Sequence, residues 1–233
     1  MFHLPKTQDK VREVKRSLIT LVNPQSPIAE QYRTIRTNLQ FTSLGADLQT
    51  IVVTSASPGE GKSTTASNLA IVYAQLGKRV LLVDCDMRKP TAHFTFQLPG
   101  QLGLSTVLAK RTTLERSIQA TQVPKLHMLP AGPIPPNPSE LLASPMMKRV
   151  LEEIKQTYDM IILDAPPIMQ VADSRIVASE ADGTILVIGC DNSNRDYVLK
   201  AKEQLELSGA NILGLVMNKR DKGQERHYHY KYD

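Results

Sequence analysis

Ser55-Ala56-Ser57-Pro58-Gly59-Glu60-Gly61-Lys62-Ser63-Thr64 joins an apolar, β-branched run at 51–54 to a helical pattern over 62–76. A glycine-rich turn that follows a strand and opens a helix with Gly-Lys-Ser is the Walker A phosphate-binding pattern, here with Ala56 where the pattern usually starts with glycine. Gly59 and Gly61 let backbone N–H groups approach phosphate oxygens, and the helix N-terminus that follows favours an anion. Lys62 is placed to reach β- and γ-phosphates, and the Ser63 hydroxyl to ligate Mg²⁺. A glycine turn capped by a helix would need no Gly-Lys-Ser. Residues Ser57, Pro58, Gly59, Glu60, Gly61, Lys62, Ser63 and Thr64 are therefore the expected nucleotide-binding stretch.

Outward from this loop the chain alternates short apolar runs with longer helical patterns. Strands are expected at 51–54, 80–84, 126–129, 160–164, 184–188 and 212–218, with helices at 62–76, 145–156 and 196–207. Upstream, Ser26-Pro27 reads as an N-cap and first-turn pair opening a helix to about residue 41. The alternation predicts an α/β domain of the P-loop NTPase type, a mostly parallel sheet flanked by helices. Right-handed crossovers then gather the strand C-termini on one edge, where open α/β sheets bind ligands. GPIPPNPSELL, at 132–142, reads as a proline-rich loop entering a helix.

Two further strands end in carboxylates. VLLVDCDMRKP (80–90) places Asp84 and Asp86 after apolar residues, and MIILDAPP (160–167) does the same for Asp164. A carboxylate at that edge can hold Mg²⁺ through its water shell, so Asp164 reads as Walker B. Asp84 and Asp86 alternate in an extended segment and point to opposite sides unless the chain turns there. One can orient metal water while the other accepts a proton from the attacking nucleophile, and the spacing does not say which. A lone Asp after a strand is often a helix cap, but three beside one phosphate loop fit that reading poorly. The candidate catalytic set is Lys62, Asp84, Asp86 and Asp164, and the candidate metal set is Ser63, Asp84, Asp86 and Asp164. Cys85 reads as a small buried residue rather than a nucleophile.

Composition narrows the class. The formal charge of +5 lies at the ends. Residues 1–22 carry five basic against two acidic side chains, and residues 219–233 five against three, leaving 23–218 neutral. Basic ends around a neutral core fit solvated termini, a membrane surface or an acidic partner better than a nucleic-acid groove. No apolar run approaches the roughly 18–20 residues that span a bilayer, and MFHLPKTQDK has no signal-type apolar region. Two cysteines fit a reducing cytosol. The expected organisation is a basic segment at 1–25, the nucleotide domain at 26–218 and a flexible tail at 219–233. That tail holds Tyr228, Tyr230 and Tyr232. Flanking charge and Gly223 argue against a packed strand there, and His227 with His229 are too few ligands for a metal site.

Together these stretches resemble the bacterial tyrosine kinases (BY-kinases) associated with capsule and exopolysaccharide synthesis. VDCDMRKP is similar to their Walker A′ motif, and the resemblance extends through EQYRTIRTN (30–38), SPGEGKST (57–64), GPIPPNPSELL, Asp164 and the tyrosine-rich tail. The resemblance implies a kinase that uses ATP and Mg²⁺ to phosphorylate tyrosines on proteins and on its own tail at Tyr228, Tyr230 and Tyr232. It implies a ring-like homo-oligomer built through Glu30, Arg33 and Arg36, which match an E-x-x-R-x-x-R helix. It also implies a cytoplasmic chain brought to the inner face of the membrane by a transmembrane adaptor, with no nucleic-acid partner. Read alone, Glu30 and Arg33 form an ordinary intrahelical pair. Asn218, in Asn218-Lys219-Arg220 after the last strand, falls where related P-loop ATPases read adenine.

Two rival readings share the phosphate pocket. ATPases of the ParA/MinD type carry a signature lysine early in the loop, where this chain has Ser57. A nucleotide-gated scaffold for polysaccharide polymerisation would need the same loop with phosphorylation secondary.

Overall fold

All six residues of Thr50–Ser55 are buried, so the strand ahead of the glycine loop is covered on both faces. The computed structural model describes residues 18–42, 48–191 and 193–220. In chain order its elements begin with α1 (Ile19–Val22), α2 (Pro27–Thr42), β1 (Thr50–Ser55), α3 (Lys62–Gln75), β2 (Val80–Asp84) and α4 (Ala92–Thr95). Next come α5 (Leu104–Leu108), α6 (Leu114–Ser117), β3 (Gln119–Ala120), β4 (Leu126–Leu129), α7 (Pro138–Leu142) and α8 (Pro145–Thr157). The chain then runs through β5 (Met160–Asp164), α9 (Asp173–Ser179), β6 (Gly183–Gly189), α10 (Arg195–Leu207) and β7 (Ile212–Asn218). The tyrosine cluster at Tyr228, Tyr230 and Tyr232 lies outside the described residues, as does the basic segment up to residue 17.

The sheet order is β3-β4-β2-β5-β1-β6-β7. Every pairing is parallel except the two-residue β3 against β4. Side chains alternate between two cores, as the period of two requires. Val52, Leu81, Val83, Ile161 and Leu163 face the side that carries α8 and α10. Ile51, Val53, Leu82, Ile162 and Val187 face the side that carries α2 and α3. Each such side chain contributes about 1.5–3 kcal/mol when fully buried, which gives the central strands their near-continuous apolar character.

Helix α3 is buried from Thr65 to Ala74 because it lies between the sheet and α2. Its small residues, Ala66, Ser67, Ala70 and Ala74, allow that close approach. The expected cap is present, Ser26 Oγ accepting the Ala29 N–H at 3.1 Å, and a further cap forms where Asn194 Oδ1 accepts the Asp196 N–H at 2.8 Å. Packing also reaches upstream of residue 26, where the sequence placed the domain start. Leu18 is buried, and Thr20 donates from both N and Oγ1 to Asn68 Oδ1 on α3, at 3.0 and 2.7 Å. A four-residue helix there carries too little apolar periodicity to be read from sequence.

Candidate functional site

Register brings the three motifs together. Asp84 and Asp164 are directly paired at the ends of β2 and β5, and Val53 of β1 pairs with Asp164 on its other side. The phosphate loop therefore begins on the strand next to Asp164 and two strands from Asp84. Gly59 and Gly61 adopt φ of +80° and +98°, a left-handed backbone that glycine alone enters freely. Gly61 has a second reason to lack a side chain: a Cβ there would collide with the Asn218 amide.

Lys62 leaves the first turn of α3 and points into the carboxylates. Its Nζ lies 3.0 Å from Asp86 Oδ2, 3.5 Å from Asp164 Oδ1 and 3.2 Å from Ser63 Oγ. Burial favours the neutral amine, but Asp164 and Asp86 outweigh it and hold Lys62 above its ordinary pKa. Burial first, and then the facing Asp164, push Asp84 well above the usual carboxylate range, with Lys62 opposing. Burial also raises Asp164, against the attraction of Lys62. Burial raises the Cys85 thiol, so this cysteine is inert packing, as expected.

Asp84 and Asp86 do not point apart. The chain turns after β2: Asp84 Oδ1 accepts the Asp86 N–H at 3.1 Å, and Asp86 Oδ1 accepts the Lys89 N–H at 3.0 Å. This side-chain-to-backbone turn swings Asp86 back to Lys62 and replaces the alternation expected of an extended segment. Asp84 Oδ2 also accepts the Ala92 N–H, at 3.3 Å. Asp84 is enclosed while Asp86 lines a cleft.

That cleft has a volume of about 400 Å³. Pro58, Gly59, Gly61, Lys62, Ser63 and Thr64 form one wall, and Asp86, Arg88, Lys89, Pro167 and Gln170 form the other. A larger hollow of about 530 Å³ lies between Lys110–Arg116 and α8, but it holds none of the motif residues, so chemistry rather than size locates the site. Ser57 and Glu60 are in the loop but do not line the cleft. The Glu60 side chain turns inward, to the Ser57 N–H at 2.8 Å and the Ser193 hydroxyl. Asn218 sits against the loop, its Nδ2 donating to the Glu60 carbonyl at 3.0 Å.

Residues missed by sequence reading brace the outer wall from behind. Arg88 Nε and Nη2 donate to the fully buried Asp173 at 2.9 and 3.2 Å, and Ser139 Oγ donates to the same carboxylate at 2.5 Å. Ser139 belongs to GPIPPNPSELL, so that segment anchors the turn carrying Asp86. No local pattern could link Arg88 to a partner 85 residues away. Asp173→Asn should lower turnover by up to about 10²-fold, the effect of misplacing a reacting group, while Mg·ADP affinity stays near wild type. Steady-state kinetics beside a binding titration would check this, and equal losses in both would refute it.

The oxygen donors Ser63, Asp84, Asp86 and Asp164 suit a hard cation, and Asp164 Oδ1 is buried without a hydrogen-bond partner among the described residues. No three Asp, Glu, His or Cys side chains form a ready metal cage among the described residues. Mg²⁺ needs none, since it is held mainly by water and phosphates with one or two carboxylates. Glu30, Arg33 and Arg36 lie on α2, away from the cleft. Arg33 Nη1 pairs with Glu30 at 2.7 Å, and Arg36 Nη1 turns to the Val72 carbonyl of α3 at 3.2 Å. No described helix is long and apolar enough to cross a membrane.

A family model described as an AAA domain matches residues 48–200. Tyrosine-protein kinase YwqD of Bacillus subtilis is 46% identical over 93% of this chain and 92% of its own length. The putative tyrosine-protein kinase CapB of Staphylococcus aureus is 41% identical over 90% of this chain and 93% of its own. The solved chimerical protein CapA2B2 superposes with a TM-score of 0.86 and 43% identity, covering 89% of this chain and 91% of that one. On these likenesses the chain belongs to the bacterial tyrosine-protein kinases.

Proposed function

We propose that this kinase transfers the γ-phosphoryl group of Mg·ATP to tyrosine hydroxyls, first of all those of its own tail at Tyr228, Tyr230 and Tyr232, in trans between subunits. The observation that carries the reading is the meeting of Lys62 with Asp86 and Asp164 beside the loop. In this reading Pro58–Thr64 hold the phosphates and Lys62 neutralises the charge that builds on the transferred group. Asp84 and Asp86 act as one unit on the attacking hydroxyl: Asp84 has the raised proton affinity, and Asp86 has the access. Asp164 and Ser63 would hold Mg²⁺, which when bound supplies charge neutralisation between the phosphates. Asn218 stands where the adenine would lie.

Glu30, Arg33 and Arg36 are assigned to the subunit contact. The exposed Glu30–Arg33 pair, worth about 0.2–0.5 kcal/mol within its own helix, is weak enough to be exchanged for a partner in a ring. A tail of about 15 residues reaches at most roughly 50 Å, enough to enter a neighbouring cleft. Each phosphate added carries about −1.5 to −2 charge and is repelled by the bound phosphates and aspartates, which releases the tail. By the family resemblance, a transmembrane adaptor recruits the kinase to the inner face of the membrane, and the phosphorylation cycle governs capsule or exopolysaccharide synthesis.

Incubation with labelled Mg·ATP followed by peptide mapping should place the label on Tyr228, Tyr230 and Tyr232. Replacing Arg33 and Arg36 with alanine should give a smaller assembly by light scattering and slow tail labelling whose rate depends on protein concentration. A monomeric variant that labels its tail at the wild-type, concentration-independent rate would refute transfer between subunits.

A further inference from the structure

A carboxylate is an unexpected occupant of a loop that must hold phosphates. Glu60 is only 5% exposed. One carboxylate oxygen accepts the Ser57 N–H at 2.8 Å, and the other accepts the Ser193 hydroxyl. Its backbone is held too: the carbonyl accepts from Asn218 Nδ2 at 3.0 Å. Gly189, at the end of β6, packs so closely that a Cβ there would come within 3.3 Å of Glu60 Cα. Ser193 is itself fixed, its N–H donating to the Gly189 carbonyl at 3.0 Å, immediately before the N-cap of α10.

A buried charge without partners is strongly unfavourable, and one beside phosphates also repels them. Both oxygens of Glu60 are satisfied by donors that lie off the cleft, so the geometry serves position rather than contact. We infer that Glu60 is a positioning residue, a strut joining the phosphate loop to the β6–α10 loop, so that nucleotide affinity depends on Ser193. This rests on reading the cleft as the ATP site. The strut fixes the N-terminal arm of the loop at Ser57 and ties it to residues beside Asn218. A partner that moves the start of α10 would thereby loosen the grip on phosphate.

The loop holds phosphate in the ground state and in the transition state alike, so loss of the strut should raise KM and spare kcat. Glu60→Gln keeps the side chain's size but offers one acceptor oxygen to two donors. Ser193→Ala removes the outer donor alone. Calorimetric titration with Mg·ADP should show affinity about tenfold weaker for Glu60→Gln, the scale of one charge-assisted hydrogen bond. Ser193→Ala should lose severalfold, and the double variant should match Glu60→Gln alone, because both substitutions break the same strut. Glu60→Ala should be weaker than Glu60→Gln. Wild-type affinity in both single variants, simple additivity in the double variant, or a loss confined to kcat would overturn the inference. A wild-type protein that binds no Mg·ADP would overturn the site reading itself, and the inference with it.

Discussion

Lys62→Met should abolish measurable nucleotide binding and lower tyrosine phosphorylation by at least about 10³-fold, the scale on which a cation at the transferred phosphoryl acts. The same substitution should also destabilise the protein. Lys62 faces Asp86 and Asp164 with its side chain 13% exposed, against 9% and 2% for the two carboxylates. Removing one member of such a buried group typically costs about 3–5 kcal/mol, because the charges left behind lose their partner. Loss of activity alone could then reflect unfolding, so a companion variant separates the two effects. Lys62→Met combined with Asp86→Asn should recover much of the melting temperature and none of the phosphorylation. Near-normal autophosphorylation in Lys62→Met would remove this loop from the chemistry.

Asp84→Asn should act with opposite signs on activity and stability. Turnover should fall by about 10²–10⁴-fold, the range for a lost acid–base group, and by far more than Mg·ADP affinity falls. Without nucleotide or metal, however, the variant should melt higher than wild type at neutral pH. Asp84 and Asp164 are buried, face each other in register and have raised proton affinities. A carboxylate whose folded pKa lies above its unfolded value adds stability below the unfolded value, near 4, and loses it as pH rises through the folded one. Wild-type stability measured in chelator should therefore decline as pH climbs out of the acid range, and Asp84→Asn should flatten that decline. For a domain of this size each kcal/mol relieved raises Tm by roughly 2–4 °C. An Asp84→Asn variant with full turnover, or with an unchanged pH profile of melting, would count against this account of the pair.

The frame of the fold was legible because local signals and tertiary demands agree. Buried parallel strands need continuous apolar runs, and all six expected runs became strands with ends shifted by a residue or less. Helix α2 starts at Pro27, as the Ser26-Pro27 pair announced, and the helical patterns read at 145–156 and 196–207 became α8 and α10, which start at Pro145 and Arg195. The stretch between β2 and β4 was harder, since α4, α5 and α6 run four or five residues each and show no helical period. Within the site, residue types were readable and side-chain direction was not. Nothing in DCD announces that Asp84 accepts the Asp86 N–H and turns the chain. Nothing in GEGK says that the glutamate faces inward to Ser193. The Arg88–Asp173 pair joins distant segments, a kind of information that only the folded register supplies.

The docking of α1 on α3 has a mechanical consequence. Thr20 binds Asn68, and Asn68 Nδ2 in turn donates to the Thr64 carbonyl at 2.9 Å, one turn into the helix that begins at Lys62. Tension applied to the chain ahead of Leu18 thus reaches α3 at two points, near its first turn through Asn68 and at its far end through Gln75, whose Nε2 donates to the Thr20 carbonyl at 3.0 Å. A tag, a tether or a fused neighbour at that end pulls on a lever, and its attachment point sets how the phosphate-gripping turn is loaded.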